Sequence, residues 1–139
     1  MAIALITGGG SGIGAAVGAL LAQHGDTVIL ADINTEAADT VATEIVSSGG
    51  HAESATLDVR DMPAFARLVD RVVADHGRID LIFNIAVIGV GGPIEDLSEE
   101  HRQRIVDINV MGVVHGSRAA YPHLIRQCDR HIETKASPA

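Results

Sequence analysis

The chain alternates short apolar runs with longer stretches whose apolar residues recur every three to four positions. It opens on the run Ile3 to Thr7 and passes through a cluster of glycines. Ile13, Ala16, Val17, Leu20 and Leu21 then follow at the i, i+3, i+4, i+7 and i+8 positions of one helical face. This pattern predicts a strand, a glycine-rich turn and a helix ending near Gly25. Thr27 to Ala31 reads as a continuous apolar strand of the kind covered on both faces in a parallel sheet. Asn34 is placed to cap a second helix running to about Ser48.

Gly49 and Gly50 break the pattern, and His51 to Leu57 predicts a weaker third strand. Asp61 has the position of an N-cap for a third helix, with Pro63 tolerated in its first turn and Gly77 placed to end it. Leu81 to Phe83 predicts a fourth strand, followed by a glycine-rich loop to Leu97. Ser98, with Glu99 and Glu100 behind it, starts a long fourth helix whose first turn complements the helix dipole. Strands alternating with helices, each crossover long enough to join a parallel pair, predict an α/β fold. The expected form is a Rossmann-type doubly wound parallel sheet, incomplete, with about four to five strands and helices on both faces.

The last stretch fits this scheme less well. As a strand it would point Glu133 and Lys135 to the same face, which conflicts with a central strand buried on both sides. Residues 1–127 are therefore expected to form the domain, and residues 128–139 a divergent tail readable as a remnant of a fifth strand.

Composition narrows the setting. A length of 139 residues leaves room for one domain, and 47% hydrophobic against 20% charged residues gives it a sizeable core. With two Phe, one Tyr and no Trp, that core is aliphatic. The single cysteine, Cys128, excludes an intramolecular disulfide framework and fits a reducing compartment. The opening residues carry neither a basic region nor an apolar run long enough for a secretory signal, and Leu81 to Ile94 is interrupted by Asn84 and glycines. A soluble, cytoplasmic protein is expected.

Charge bears on the chemistry more directly. A net charge of −8 disfavours nucleic acid as a partner, and the last 42 residues, with six basic and five acidic groups, read as an ordinary helix surface. No Lys or Arg precedes Arg60, whereas seven Asp and Glu do. Any phosphate held by that stretch must be held by backbone N–H groups. His115, His123 and His131 recur every eight residues, which is not a helical ligand spacing, so no metal site is expected and these side chains read as solvated or capping.

Gly8, Gly9, Gly10, Gly12 and Gly14 lie between the first strand and the first helix, where close approach of backbone to a ligand needs residues without side chains. A helix N-terminus there offers free N–H groups to a pyrophosphate; a plain chain reversal is the alternative. Asp32 ends the second strand 18 residues after Gly14, near the offset of the ribose-binding acid of a dinucleotide fold. The alternative for Asp32 is a solvent-facing turn. A carboxylate at that place accepts from ribose hydroxyls and repels a 2′-phosphate, and no cation is near it in sequence. NAD is therefore expected over NADP.

Together these residues resemble the short-chain dehydrogenase/reductase family. Thr7 to Gly14, TGGGSGIG, matches its Thr-Gly-x-x-x-Gly-x-Gly motif, and Asp32 matches its NAD-selecting acid. Asp58-Val59 is similar to the pair that contacts adenine, a plain turn Asp being the other reading of Asp58, and Asn84-Ile85-Ala86-Val87 stands where the family has Asn-Asn-Ala-Gly. Asn109-Val110-Met111-Gly112 is similar to the setting of the catalytic Asn, and a polar residue bending a long helix is the other reading of Asn109. The resemblance implies that Gly8 and Gly14 belong to the cofactor turn and that Ser11, Gly12 and Ile13 contact the pyrophosphate. It further implies that Asp32, Ile33, Asp58 and Val59 hold the adenosine end, and Asn84 and Ala86 the cofactor's middle. The implied reaction is hydride transfer between NAD(H) and a small alcohol or carbonyl compound.

The match is incomplete in its catalytic part. His131 to Ser137 resembles the fifth strand that leads to the catalytic Ser, which makes Ser137 its counterpart, but no Tyr-x-x-x-Lys occurs within the 139 residues. Tyr121 reads as a packing residue and Lys135 as a solvated one. Loss of a positioned general acid removes roughly 10²- to 10⁴-fold of rate, so these residues alone are expected to make a very poor dehydrogenase. Val87, where the family has Gly, is expected to reshape the loop beside the nicotinamide. The alternative function is a non-catalytic module that senses NAD or pairs with a partner, with homo-oligomerisation through the fourth helix.

Overall fold

The computed structural model describes residues 1–127 and 131–134. Five parallel strands, β1 (Ile3–Thr7), β2 (Thr27–Asp32), β3 (His51–Thr56), β4 (Leu81–Asn84) and β5 (His131–Thr134), form one sheet in the order β3-β2-β1-β4-β5. Five α-helices accompany it: α1 (Gly12–Gln23), α2 (Thr35–Ser47), α3 (Met62–His76), α4 (Glu99–Val106) and α5 (Gly112–Leu124). The fold is an incomplete doubly wound α/β sheet of the Rossmann type.

Alternate residues of the central strands feed two separate cores. Leu5, Ile29 and Ala55 cluster with Phe65, Val69 and Val72 of α3 and with Leu124 of α5. Ala4, Ile6, Val28 and Leu30 cluster with Ala22 of α1 and with Ala38, Ala42 and Ile45 of α2. Because both faces are covered, every residue of β1 is buried, which is why its sequence is an unbroken apolar run.

The helix ends follow the polar punctuation of the sequence. Asn34 Oδ1 accepts from the Ala37 amide at 3.1 Å, Asp61 Oδ1 from Ala64 at 2.9 Å, and Ser98 Oγ from His101 at 3.1 Å. Gly77 ends α3 in the left-handed region at φ 78°. One feature departs from expectation. The long fourth helix is α4 and α5 joined by a π turn, Asp107–Met111, in which one extra residue is accommodated without breaking the rod. Residues 131–134 enter the sheet as β5, with Leu81 opposite His131 and Asn84 opposite Thr134. β5 pairs with β4 alone among the described strands, and Glu133 is exposed there, so the anticipated conflict of a charge in a doubly buried strand does not arise. Cys128, Arg130, Lys135 and Ser137 lie outside the described residues.

Candidate functional site

From β1 the chain builds outward first to β2 and β3 and then, on the other side, to β4. The loops leaving the carboxyl ends of β1 and β4 therefore diverge and leave a crevice, the place where open α/β sheets bind ligands. A cavity of about 360 Å³ lies there. Gly8, Ser11, Gly12 and Ile13 line it from the β1–α1 turn, Asp32 and Ile33 from the end of β2, and Leu57 to Arg60 from the exit of β3. Ile85 to Ile88, with Arg104 and Ile108, close the far side.

The glycine-rich turn is folded tightly against β2. Gly9 N–H donates to Ala31 O at 3.1 Å and Gly10 N–H to Asp32 Oδ2 at 3.0 Å. Gly8 has φ 70°, and a Cβ there would sit 3.0 Å from the Ala86 backbone, so only a bare residue lets the turn lie beside the β4 exit. Asp32 Oδ1 accepts from Asn34 N–H at 2.9 Å. Two backbone amides thus orient a carboxylate that still has lone pairs for a ligand, out of roughly four acceptor sites. Ser11, unlike Asn34, Asp61 and Ser98, makes no side-chain cap bond. The first amides of α1 consequently have no capping oxygen and present the positive end of the helix dipole at the cavity.

Asp58 sits on the β3 side, held by its neighbour. Arg60 Nε lies 3.0 and 3.1 Å from its two oxygens, Arg60 Nη2 is 2.6 Å from Oδ2, and the Arg60 amide donates to Oδ1 at 3.0 Å. That bonding holds the Asp58 carboxyl below its ordinary value, with Arg104 adding a smaller attraction. The Asp58 pairing likewise raises Arg60 further. These two arginines in the cavity wall are invisible to a reading that counts charge only up to residue 59; Arg104 arrives from α4, which folding alone brings across.

On the β4 side, Thr7 is the residue that motif matching undervalued. Its buried hydroxyl lies 3.3 Å from Phe83 O, to which it donates, and accepts from Ile85 N–H at 3.0 Å and Ala86 N–H at 3.2 Å. Asn109, at the π turn, makes a reciprocal pair with the next loop residue: Ile88 N–H donates to Oδ1 and Nδ2 donates to Ile88 O, both at 2.9 Å. The turn residue thus serves as a clamp on the cavity loop. Val87 needs no glycine-like backbone, since no non-glycine residue among those described has positive φ, and Ile85 packs into the core beneath the sheet.

Two expected cofactor residues stand behind the wall. At Gly14 a Cβ would overlap the Gly8 carbonyl, so its bareness serves the packing of α1 on the turn. Asn84 is buried, and its amide fills the gap beside Gly116 of α5 and next to Phe65. Neither Oδ1 nor Nδ2 of Asn84 has a hydrogen-bond partner among the described residues. Val59 is buried yet contributes to the cavity wall, as does Ala86. Tyr121, read from sequence as a packing residue, is 59% exposed on α5. His115 and His123 are half-buried and each has a partner: His115 Nδ1 lies 2.8 Å from Val59 O, and His123 Nε2 lies 3.0 Å from Asp70 Oδ1. Among the described residues no cluster of three or more His, Cys, Asp or Glu could hold a metal. No helix is long and apolar enough to cross a membrane.

Comparison with known proteins agrees with this geometry. The family model described as short chain dehydrogenase matches residues 2–134. Versicolorin reductase of Emericella nidulans is 37% identical over 138 residues, covering 99% of this chain and 52% of the relative. A short chain dehydrogenase/reductase from Burkholderia phymatum, crystallised in complex with NAD, superposes with a TM-score of 0.94 at 31% identity, covering 98% of this chain and 49% of that one. A metagenomic short-chain oxidoreductase in complex with NADP superposes with a TM-score of 0.93 at 33% identity, covering 99% and 63%. The chain spans about half the length of the curated relatives it matches.

Proposed function

Because the chain belongs to the short chain dehydrogenase family, we propose that it is the NAD-binding part of an oxidoreductase that moves hydride between NAD(H) and an alcohol or carbonyl compound. One observation carries the reading: the uncapped N-terminus of α1 and the oriented carboxylate of Asp32 open on the same cavity. The first meets a pyrophosphate without any side-chain cation, and the second meets ribose hydroxyls. The bound dinucleotide supplies the carbon that gives or takes the hydride.

The chain's own residues hold and orient. The amides at Ser11, Gly12 and Ile13 donate to the pyrophosphate, and Asp32 with Ile33 receives the adenosine ribose. Asp58 and Val59 flank the adenine. Thr7 and Asn109 fix the Ile85–Ile88 loop, and with it the place of Ala86 beside the cofactor's middle. Asn109 and Ser137 are the catalytic residues we assign to this chain. No Tyr-x-x-x-Lys occurs within the 139 residues, so this stretch alone is expected to bind without turnover.

NAD is favoured over NADP by repulsion between Asp32 and a 2′-phosphate. Arg60 does not reverse this, because Asp58 already engages its guanidinium. Calorimetric titration tests both points. NAD is expected to bind more tightly than NADP, and Asp32→Ala to weaken NAD by roughly 10- to 100-fold, the range of a charged hydrogen bond, while abolishing the discrimination. Equal affinity of the parent chain for the two cofactors would remove the preference, and no affinity for either would remove the reading.

A second reading, association with another copy, has its own observation. Val106, Val110, Val114, Tyr121 and Ile125 form an exposed stripe along α4 and α5. We assign that stripe to a homo-oligomer contact, and the molecule to the cytoplasm on its single cysteine. A monomeric mass in solution, unchanged by NAD, would overturn the contact.

A further inference from the structure

The exit of β3 is held from outside the cavity by α5. His115 projects from the first turns of that helix, and its Nδ1 lies 2.8 Å from the Val59 carbonyl oxygen. A carbonyl only accepts, so Nδ1 carries the proton, and the neutral ring is the Nδ1–H tautomer. Gly112, one turn earlier, reinforces the contact. A Cβ there would lie 2.8 Å from Val59 Cγ2 and 3.1 Å from its Cβ, so the valine side chain rests against bare helix backbone. Val59 is thus gripped at its carbonyl and at its side chain, while Asp58 and Arg60 on either side of it line the cavity. The same helical rod carries Asn109, which grips Ile88 on the opposite lip.

We infer that His115 is a positioning residue for the adenosine half of the dinucleotide, acting through its Nδ1–H bond to the Val59 carbonyl. The inference rests on the dinucleotide reading above. Without that bond the Leu57–Arg60 segment keeps its backbone bonds to Asp32 and Asp61 and its packing in the core, but the Val59 carbonyl loses its donor and the segment its polar tie to α5. ADP-ribose, which lacks the nicotinamide, is the probe. His115→Leu, which cannot donate, is expected to weaken it by about tenfold, the upper range for one neutral hydrogen bond. His115→Asn carries an amide nitrogen the same number of bonds from the backbone as Nδ1 and is expected to restore affinity to within about twofold, because one hydrogen bond again replaces another.

Nitrogen-15 spectra of the histidine rings in the unsubstituted protein provide a check that needs no variant, and the neutral His115 ring is expected to be protonated at Nδ1. Protonation at Nε2 overturns the assignment. So does ADP-ribose binding by His115→Leu equal to the parent's, or an equal loss in both variants, which would mark a packing role. A parent protein that binds neither NAD nor ADP-ribose overturns the dinucleotide reading, and the assignment falls with it.

Discussion

The two walls of the cavity are built in different ways. The β1–α1 turn and the end of β2 form one wall that is tied to itself, Gly9 N–H to the Ala31 carbonyl and Gly10 N–H to the Asp32 carboxylate, each across 22 residues. The rest of the lining, residues 57–60 on the β3 side and 85–88 on the β4 side, is held by side chains from outside those two segments. Thr7 reaches Ile85 and Ala86 across 78 and 79 residues, His115 reaches Val59 across 56, and Asn109 reaches Ile88 across 21. The first wall therefore depends on what its residues lack, a Cβ, and the second on what remote residues supply, a hydroxyl, an imidazole and an amide.

Substitutions sharpen that contrast. The largest effect is expected for Gly14→Ala, whose methyl overlaps the Gly8 carbonyl and must push α1 off the turn. Overpacking against backbone is expected to cost about 3 kcal/mol and to abolish NAD binding, measured by denaturant unfolding and calorimetry. Thr7→Val keeps the shape and removes the hydroxyl, leaving the Ile85 and Ala86 amides unpaired. A loss of about 2 kcal/mol is expected, with weakened NAD binding; a neutral result would show that the second wall holds itself.

The smallest effect is electrostatic. Asp58 has its folded pKa lowered from 3.8, chiefly by the Arg60 hydrogen bonds. A depressed carboxyl contributes stability that is present above its unfolded value and lost as pH falls through the folded one. The pair is partly solvated, so at most about 1 kcal/mol is involved. Arg60→Ala is expected to be slightly less stable than the parent near neutral pH, the difference closing below the folded pKa of Asp58. A constant offset across acid pH would show that Arg60 acts by packing.

Legibility in the sequence followed the same division. The caps Asn34, Asp61 and Ser98 and the stop at Gly77 could be read because each acts within three or four residues of itself. The Thr7–Gly14 turn and Asp32 were legible because strand, turn and strand end follow in order. Gly14 could be placed in the motif, but the reason for its bareness, the Gly8 carbonyl beneath it, could not. The partner of His115 and the exposure of Tyr121 were not legible, because a helix with two partly exposed faces does not say which face another segment will meet. Arg104 looked like ordinary helix surface until α4 was laid over the end of β3.

The amino-acid order by itself determined the α/β alternation, the glycine-rich turn and the strand end that carries Asp32, since those rest on periodicity, capping and missing side chains, all of them short-range. The tertiary structure alone decided which loops face each other across the switch point and which side chains hold them. It also decided that β5 lies at the edge of the described sheet, where Glu133 can remain in solvent. Long-range bonds of that kind depend on how helices cross strands, and no local pattern carries that information.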